Sequence, residues 1–83
     1  MSRTELFDQV KQILVERFAI DPAQITPTAD LEKTLKLDSM DAMDLLMTID
    51  ETFSIRIPEK TLDDVHTLSE LVAVIEKHIP KKP

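Results

Sequence analysis

The chain has 83 residues, of which 42% are hydrophobic and 31% are charged, and this length and composition predict one small globular domain. The formal net charge of −6 disfavours nucleic acid and anionic membranes as partners, because both repel an acidic surface. The absence of cysteine excludes disulfides, thiolate zinc sites and a cysteine nucleophile, and no segment approaches membrane-span length. We therefore expect a cytoplasmic monomer that neither binds nucleic acid nor inserts into membranes.

Hydrophobic spacing predicts a first helix over about residues 3 to 18. Apolar residues recur there three and four positions apart, and Ser2 with Glu5 makes a capping-box pattern at its start. The next segment, residues 19 to 38, contains two prolines and several capping residue types. This composition predicts a long loop with one short turn.

Two further main helices and one short helix are predicted in the second half of the chain. The second helix runs from about Ser39 to Phe53 with Asp38 as its N-cap, and a short helix follows near residues 59 to 64. The last helix begins at Thr67, whose partner Glu70 completes another capping-box pattern. Its apolar residues recur at helical spacing: Leu68, Leu71, Val72, Ile75 and Ile79.

These elements predict an all-α fold, a small four-helix bundle with three main helices, one short helix and a long loop between the first and second helices. We expect residues 1–83 to form a single domain whose residues 79–83 are a frayed tail. No alternation of apolar and polar residues is long enough to predict a strand.

The second helix carries two apolar stripes. At about 100° per residue, five apolar residues fall within about a 100° arc that supplies this helix's share of the core: Ala42, Leu45, Leu46, Ile49 and Phe53. Met40, Met43 and Met47 fall on a neighbouring arc. These methionines could simply widen the core face, since methionine is a common gap filler. We favour an exposed methionine stripe for binding partners, because the core arc is complete without it.

Acidic residues border the methionine stripe, with Asp50 on one side and Glu51 and Asp44 on the other, and Asp41 is a further acid of the same helix. Runs of charge are usually just solvated faces of a helix. A merely soluble helix, however, more often interleaves lysine or arginine four positions away. No basic residue lies between Lys36 and Arg56, so the sequence predicts unrelieved acids that steer basic partners.

Ser39 falls at the first position of the second helix. A helix N-terminus offers unpaired N–H groups and the positive end of the helix dipole, which favour a phosphate by roughly 0.3–1 kcal/mol at an exposed site. Serine is also common at helix starts for purely structural reasons, and local physics alone favours that simpler interpretation.

The segment around Ser39 resembles the acyl carrier protein family. The family's attachment motif, Asp-Ser-Leu, opens its second helix and is similar to Asp38-Ser39-Met40 followed by Asp41. The similarity continues through "DLLMTIDETFSIRIPE", which resembles the family's acidic recognition helix and its exit segment. Length, helix number and the long first loop also agree, so the resemblance covers essentially the whole chain.

The resemblance implies a 4′-phosphopantetheine arm on Ser39, attached from coenzyme A by a phosphopantetheinyl transferase, with Asp38 as the preceding motif residue. The arm ends in a thiol that holds acyl groups as thioesters, which suits a chain without cysteine. It also implies a non-catalytic carrier of fatty-acid or polyketide-type intermediates. Partners would be acyl-transfer, ketosynthase and related enzymes with basic patches, docking on seven residues: Met40, Asp41, Met43, Asp44, Met47, Asp50 and Glu51.

We expect an acyl chain to insert between the second and last helices, in an interior lined by five residues: Leu45, Leu46, Ile49, Leu71 and Ile75. Ordinary core packing explains these residues equally well.

One position departs from the family pattern. The family usually has a glycine shortly before the motif, and Lys36 stands there in "TLKLDSMD". A lysine tolerates positive φ poorly, so we expect the loop to enter the helix differently. The sequence leaves open whether Lys36 marks a specialised carrier or a poor substrate for ordinary transferases.

Three other functions compete with this interpretation. An enzyme with Ser39 as nucleophile and His66 or His78 as base lacks a Gly-x-Ser-x-Gly elbow and an evident oxyanion hole. An aminoacyl, peptidyl or D-alanyl carrier would use the same arm, so the serine does not distinguish such a carrier from an acyl carrier. An unmodified helical interaction module with a fortuitous motif is the third alternative.

A dedicated metal site is not expected. Asp38 with Asp41, or Asp63 with Asp64, could bind divalent cations loosely. Each pair supplies too few oxygen ligands for a built site.

Overall fold

The computed structural model describes residues 2–79 and confirms the predicted all-α fold. Three α-helices and two 3-10 helices follow one another: α1 (Arg3–Phe18), a 3-10 turn (Pro22–Gln24), α2 (Ser39–Phe53), a 3-10 helix (Glu59–Asp64) and α3 (Leu68–His78). Over residues 2–79 there is no strand, and the one isolated antiparallel bridge joins Asp30 to Thr67.

Each α-helix begins with a reciprocal capping box, formed by Ser2 with Glu5, Asp38 with Asp41, and Thr67 with Glu70. The first and last boxes were predicted from the sequence. Helix α3 itself begins one residue later than predicted, because Thr67 has extended backbone angles and acts as the N-cap. The box at α2 went unrecognised because its third helical residue is aspartate, whereas the familiar pattern has Glu or Gln there.

Two α-helices end on a residue in the left-handed region, although the chain contains no glycine. Ala19 closes α1 at φ 54° and Ser54 closes α2 at φ 55°. A left-handed residue other than glycine costs about 1–2 kcal/mol. The turn offsets this cost because the N–H of each cap donates to a carbonyl of its helix, at Leu14 and Asp50 respectively.

All three α-helices and the segments between them contribute to one hydrophobic core. The helices supply Leu6, Val10, Leu14, Leu45, Leu46, Ile49, Leu68, Leu71, Val72 and Ile75. The connecting segments supply Ile25, Ala29, Leu35, Leu37, Ile57 and Val65. No polar or charged residue is buried in the described part of the chain. Helix α1 packs most extensively on α3 and also on α2, whereas α2 and α3 approach each other less closely.

Some apolar residues at helical spacing are only half-buried: Ile13, Phe18, Ala42, Phe53 and Ile79. Phe18 and Phe53 are the last residues of their helices, and Ile79 is the C-cap of α3. Fewer elements cover a side chain at the end of a bundle than at its middle. Of the predicted frayed tail, Ile79 packs against the core, and residues 80–83 lie outside the described residues.

The long loop between α1 and α2 is attached to the start of α3 by backbone hydrogen bonds. The Leu31 N–H donates to the carbonyl of His66 at 2.9 Å, and the Leu68 N–H donates to the carbonyl of Ala29 at 3.1 Å. These bonds and the buried loop side chains hold the segment that leads into α2. The loop therefore positions the start of α2, rather than merely connecting two helices.

We expect Glu70→Gln to weaken the dependence of the unfolding free energy on pH in acid. The pKa of Glu70 lies below its usual range, chiefly because its carboxylate accepts hydrogen bonds from the backbone N–H of His66 and then of Thr67. A lowered folded-state pKa stabilises the fold above the unfolded-state value of about 4.3. That stabilisation is lost as the pH falls through the folded-state pKa.

Urea unfolding at neutral pH and in steps below about pH 4.5 measures this change. Glu59→Gln is the matched control, since Glu59 is an exposed glutamate at the start of the 3-10 helix. A Glu70→Gln variant with the same acid dependence as the wild type would show that the cap contributes nothing through ionisation.

Candidate functional site

Ser39 is the first residue of α2 and its side chain is exposed. The capping box around it is made by its neighbours: the Asp41 N–H donates to Asp38 Oδ1 at 2.8 Å, and the Asp38 N–H donates to Asp41 Oδ2 at 3.4 Å. Because these two carboxylates cap the helix, the Ser39 hydroxyl is not needed for that purpose. The arrangement leaves an accessible hydroxyl at the positive end of a 15-residue helix.

Lys36 adopts φ 57°, so the expectation that a lysine would change the path into the helix was wrong. Leu35 and Leu37, on either side of it, are both only 5% exposed. Their burial fixes the chain before and after Lys36 and imposes the left-handed conformation that a glycine would adopt freely. A non-glycine residue in this region costs of order 1–3 kcal/mol and persists only where its surroundings over-determine it.

The outer side of α2 carries an apolar surface formed by Met40, Met43 and Met47, here called the methionine surface. Met40 is 81% exposed and Met47 is 58% exposed, while Met43 is half-buried. A shallow hollow of about 360 Å³ runs along this surface, lined by Ser39, Met40, Met43, Asp44 and Met47. The candidate attachment serine and the methionine surface are therefore parts of one continuous patch.

The prediction that the acids of α2 lie unrelieved is wrong for Asp44. Arg17, on α1, donates from Nη2 to Asp44 Oδ1 at 2.9 Å and from Nε to both carboxylate oxygens at 3.2 and 3.3 Å. The pKa of Arg17 is raised above its usual range, chiefly by these hydrogen bonds and then by the negative charge of Asp44. The two residues are 27 positions apart, so helix periodicity could not reveal the pair.

The other acids of the predicted docking face have different surroundings. Asp41 belongs to the capping box, and Asp50 accepts a hydrogen bond from the Ile57 N–H at 3.1 Å. The bond to Asp50 holds the segment that follows α2. Glu51 is exposed, and over residues 2–79 its carboxylate accepts no hydrogen bond. Within this face, Glu51 is thus the acid left most available to a partner.

The five residues predicted to line an acyl-chain pocket all lie in the closed core. Their exposed fractions are 3% for Leu45, 4% for Leu46, 0% for Ile49, 1% for Leu71 and 0% for Ile75. They share one cluster, at the side of the bundle where α2 and α3 approach each other less closely than either approaches α1. Their packing alone accounts for the burial, so their role as a pocket stays a prediction.

The histidines and the Asp63–Asp64 pair, the other candidates for catalysis or metal binding, are all exposed. His66 is exposed, and His78 Nδ1 lies 2.9 Å from the carbonyl oxygen of Val74 in its own helix. Asp63 and Asp64 are exposed in the 3-10 helix. Over the described residues, no group of three or more histidines and acids could hold a metal ion, and no helix is long and apolar enough to cross a membrane.

The comparisons with known proteins agree on one family. Residues 8–75 match the family model described as "Phosphopantetheine attachment site". The chain is 37% identical to "Acyl carrier protein 2" of Ralstonia nicotianae over 92% of this chain and 94% of that protein. It is 34% identical to the acyl carrier protein of Helicobacter pylori over 86% of this chain and 91% of that protein.

A solved structure shows the same fold. The crystal structure of an acyl carrier protein from Thermotoga maritima superposes with a TM-score of 0.82. The match covers 94% of this chain and 91% of that chain, at 23% sequence identity. The helical arrangement described above is therefore shared with that protein.

We expect Lys36→Gly to raise the free energy of unfolding by about 1 kcal/mol. Glycine takes positive φ without a Cβ clash, and this gain exceeds the entropy that glycine adds to the unfolded chain. Urea unfolding measures the change. Lys33→Gly is the matched control: it is an exposed lysine of the same loop with ordinary φ, and we expect its replacement to destabilise. Equal destabilisation by both variants would show that Lys36 carries no strain.

Proposed function

The chain belongs to the acyl carrier protein family, and we propose that Ser39 is the residue that bears its 4′-phosphopantetheine arm. Membership of the family makes the chain a carrier of acyl groups rather than a catalyst, with 4′-phosphopantetheine as its cofactor. The observation that carries the assignment of Ser39 is its position: an exposed serine at the first residue of α2, inside the matched region.

The residues around Ser39 suit a phosphodiester. The capping box uses the Asp41 N–H, and the Ala42 N–H donates to the carbonyl of Asp38 at 2.9 Å. The N–H groups of Ser39 and Met40 have no acceptor in the described part of the chain, which leaves them available to an anion. When bound, the arm supplies a thiol that holds acyl groups as thioesters, which a chain without cysteine cannot supply itself.

We infer that a phosphopantetheinyl transferase modifies Ser39, and that this transferase and later acyl-transfer and ketosynthase enzymes dock on the outer side of α2. The proposed docking face consists of Met40, Asp41, Met43, Asp44, Met47, Asp50 and Glu51. The exposure of Met40 and Met47 supports this proposal, because adaptable methionine side chains suit a surface that meets several partners. The net charge of −6 favours enzymes with basic patches.

We further propose that an acyl chain enters the core between α2 and α3, against Leu45, Leu46, Ile49, Leu71 and Ile75. All five side chains come from α2 or α3 and share one core cluster, which supports this position. Because the five side chains are at most 4% exposed, a chain can enter only if the helices separate locally. An aminoacyl or D-alanyl cargo is not favoured, since the similar proteins are acyl carrier proteins.

Ser39→Ala should fold like the wild type and accept no arm. The purified proteins are incubated with coenzyme A and a broad-specificity phosphopantetheinyl transferase, and intact masses are recorded. We expect one phosphopantetheinyl group on the wild type and none on Ser39→Ala. Ser69→Ala is the matched control, because Ser69 is an exposed serine in the first turn of α3, and it should gain the arm.

Each other result has a definite meaning. Loss of helical circular dichroism in Ser39→Ala would assign Ser39 a structural role. A wild type that gains no mass, together with a Lys36→Gly variant that does, would show that Lys36 blocks a generic transferase. No gain in either protein would overturn the proposal and favour an unmodified interaction module.

Met47→Ala should raise the KM for loading by about fivefold or more, with helical content unchanged. The few interface residues whose truncation costs more than about 1 kcal/mol of binding cluster near the centre of an interface, where Met47 lies in the proposed docking face, and about 1 kcal/mol corresponds to about a fivefold change. Thr52→Ala is the control, since Thr52 is exposed on α2 but lies outside the docking face. An unchanged KM for Met47→Ala would move the docking surface elsewhere.

A further inference from the structure

Arg17 places a cation at the border of the methionine surface. Its guanidinium holds both carboxylate oxygens of Asp44, and Asp44 itself lines the hollow that contains Ser39. The two side chains are 53% and 44% exposed, so the pair is accessible to a docking protein. The pair therefore lies within the proposed docking face and is not hidden beneath it.

The position of Arg17 changes the net charge along the border of the methionine surface that carries Asp44 and Glu51. Asp44 and Glu51 are seven residues apart, so at about 100° per residue they lie on nearly the same side of α2. The charge of Glu51 also attracts Arg17, although less than Asp44 does. This border was predicted to carry two free acids, and it carries two acids and one guanidinium.

We propose that Arg17 is a specificity-determining residue of the docking face, which weakens docking by a partner that presents a cation to Asp44, and that the phosphopantetheinyl transferase is such a partner. The inference rests on the proposed docking function. A partner lysine or arginine that approached Asp44 would have to break the bidentate ion pair between Asp44 and Arg17. It would also be repelled by the positive charge of Arg17. A partner cation that approaches Glu51 finds a carboxylate without a hydrogen bond in the described part of the chain.

A purely structural role would have a different signature. The chain has a second exposed pair, in which Arg3 of α1 donates to Glu76 of α3 at 2.9 Å. Both pairs join two helices, and exposed pairs of this kind contribute little to stability. Only the Arg17 pair involves a residue of the methionine-lined hollow, so Arg3 provides a matched control.

The test is the steady-state kinetics of phosphopantetheinyl transfer to the wild type, Arg17→Gln and Arg3→Gln. Each substitution removes one positive charge, so both variants have a net charge of −6 − 1 = −7. We expect Arg17→Gln to lower the KM about twofold to fivefold at about 0.05 M salt, with kcat unchanged. Arg3→Gln should lower the KM less. At about 0.5 M salt the difference between the two variants should largely disappear.

Arg17→Lys separates charge from packing. It keeps the cation at the border, so we expect a KM close to that of the wild type. If the pair of Arg17 and Asp44 had only a structural role, Arg17→Gln would lower the melting temperature without lowering the KM. Any of three results would overturn the inference: equal KM values for Arg17→Gln and Arg3→Gln, a lowered KM for Arg17→Lys, or loss of the fold in Arg17→Gln. If no variant is loaded, it is the proposed function that fails, and the inference fails with it.

Discussion

The burial of Leu35 and Leu37 is the constraint on which the rest of the site depends. These two side chains fix the chain on both sides of Lys36 and hold that residue at φ 57°, against its own preference. The chain then reaches Asp38 in an extended conformation, where the N-cap forms and α2 begins. Three structural features therefore give Ser39 its exposed position at the helix N-terminus: the burial of Leu35 and Leu37, the left-handed conformation of Lys36, and the N-cap at Asp38. Ser39, the proposed attachment residue, is thus positioned by residues for which no chemical role is proposed.

The apolar residues of helix α2 are divided between two sides, and this division is why we propose two tasks for the helix. Leu45, Leu46 and Ile49 are buried, and their burial anchors the helix against α1. Met40 and Met47 remain exposed on the outer side, beside Ser39. A rigid inner side keeps the outer side in a defined place, and the adaptable methionine side chains allow that outer side to meet differently shaped surfaces. This division supports the proposal that one helix of a small domain is both a structural element and a docking element.

The charges of α2 show why a row of acids does not by itself describe a docking surface. Asp41 caps the helix, Asp50 holds the segment that follows it, and Asp44 is paired with Arg17. Carboxylates engaged in these ways still add to the long-range attraction of basic partners. At contact distance, however, they differ in how readily they accept a new hydrogen bond. The acids of the proposed docking face therefore differ in their availability for new hydrogen bonds, and the net charge does not show this difference.

The sequence by itself determined the features that depend on neighbours three or four residues apart: the bounds of α1 and α2, the capping boxes of α1 and α3, and the place of Ser39 at the start of α2. These follow from helix periodicity and from side chains that bond to nearby backbone. Only the tertiary structure decided the pairing of Arg17 with Asp44 and the conformation of Lys36. The pair exists because α1 packs beside α2, and the conformation exists because Leu35 and Leu37 are both buried in a core built by distant residues. Local patterns cannot encode either one, since each depends on which surfaces meet after the chain has folded.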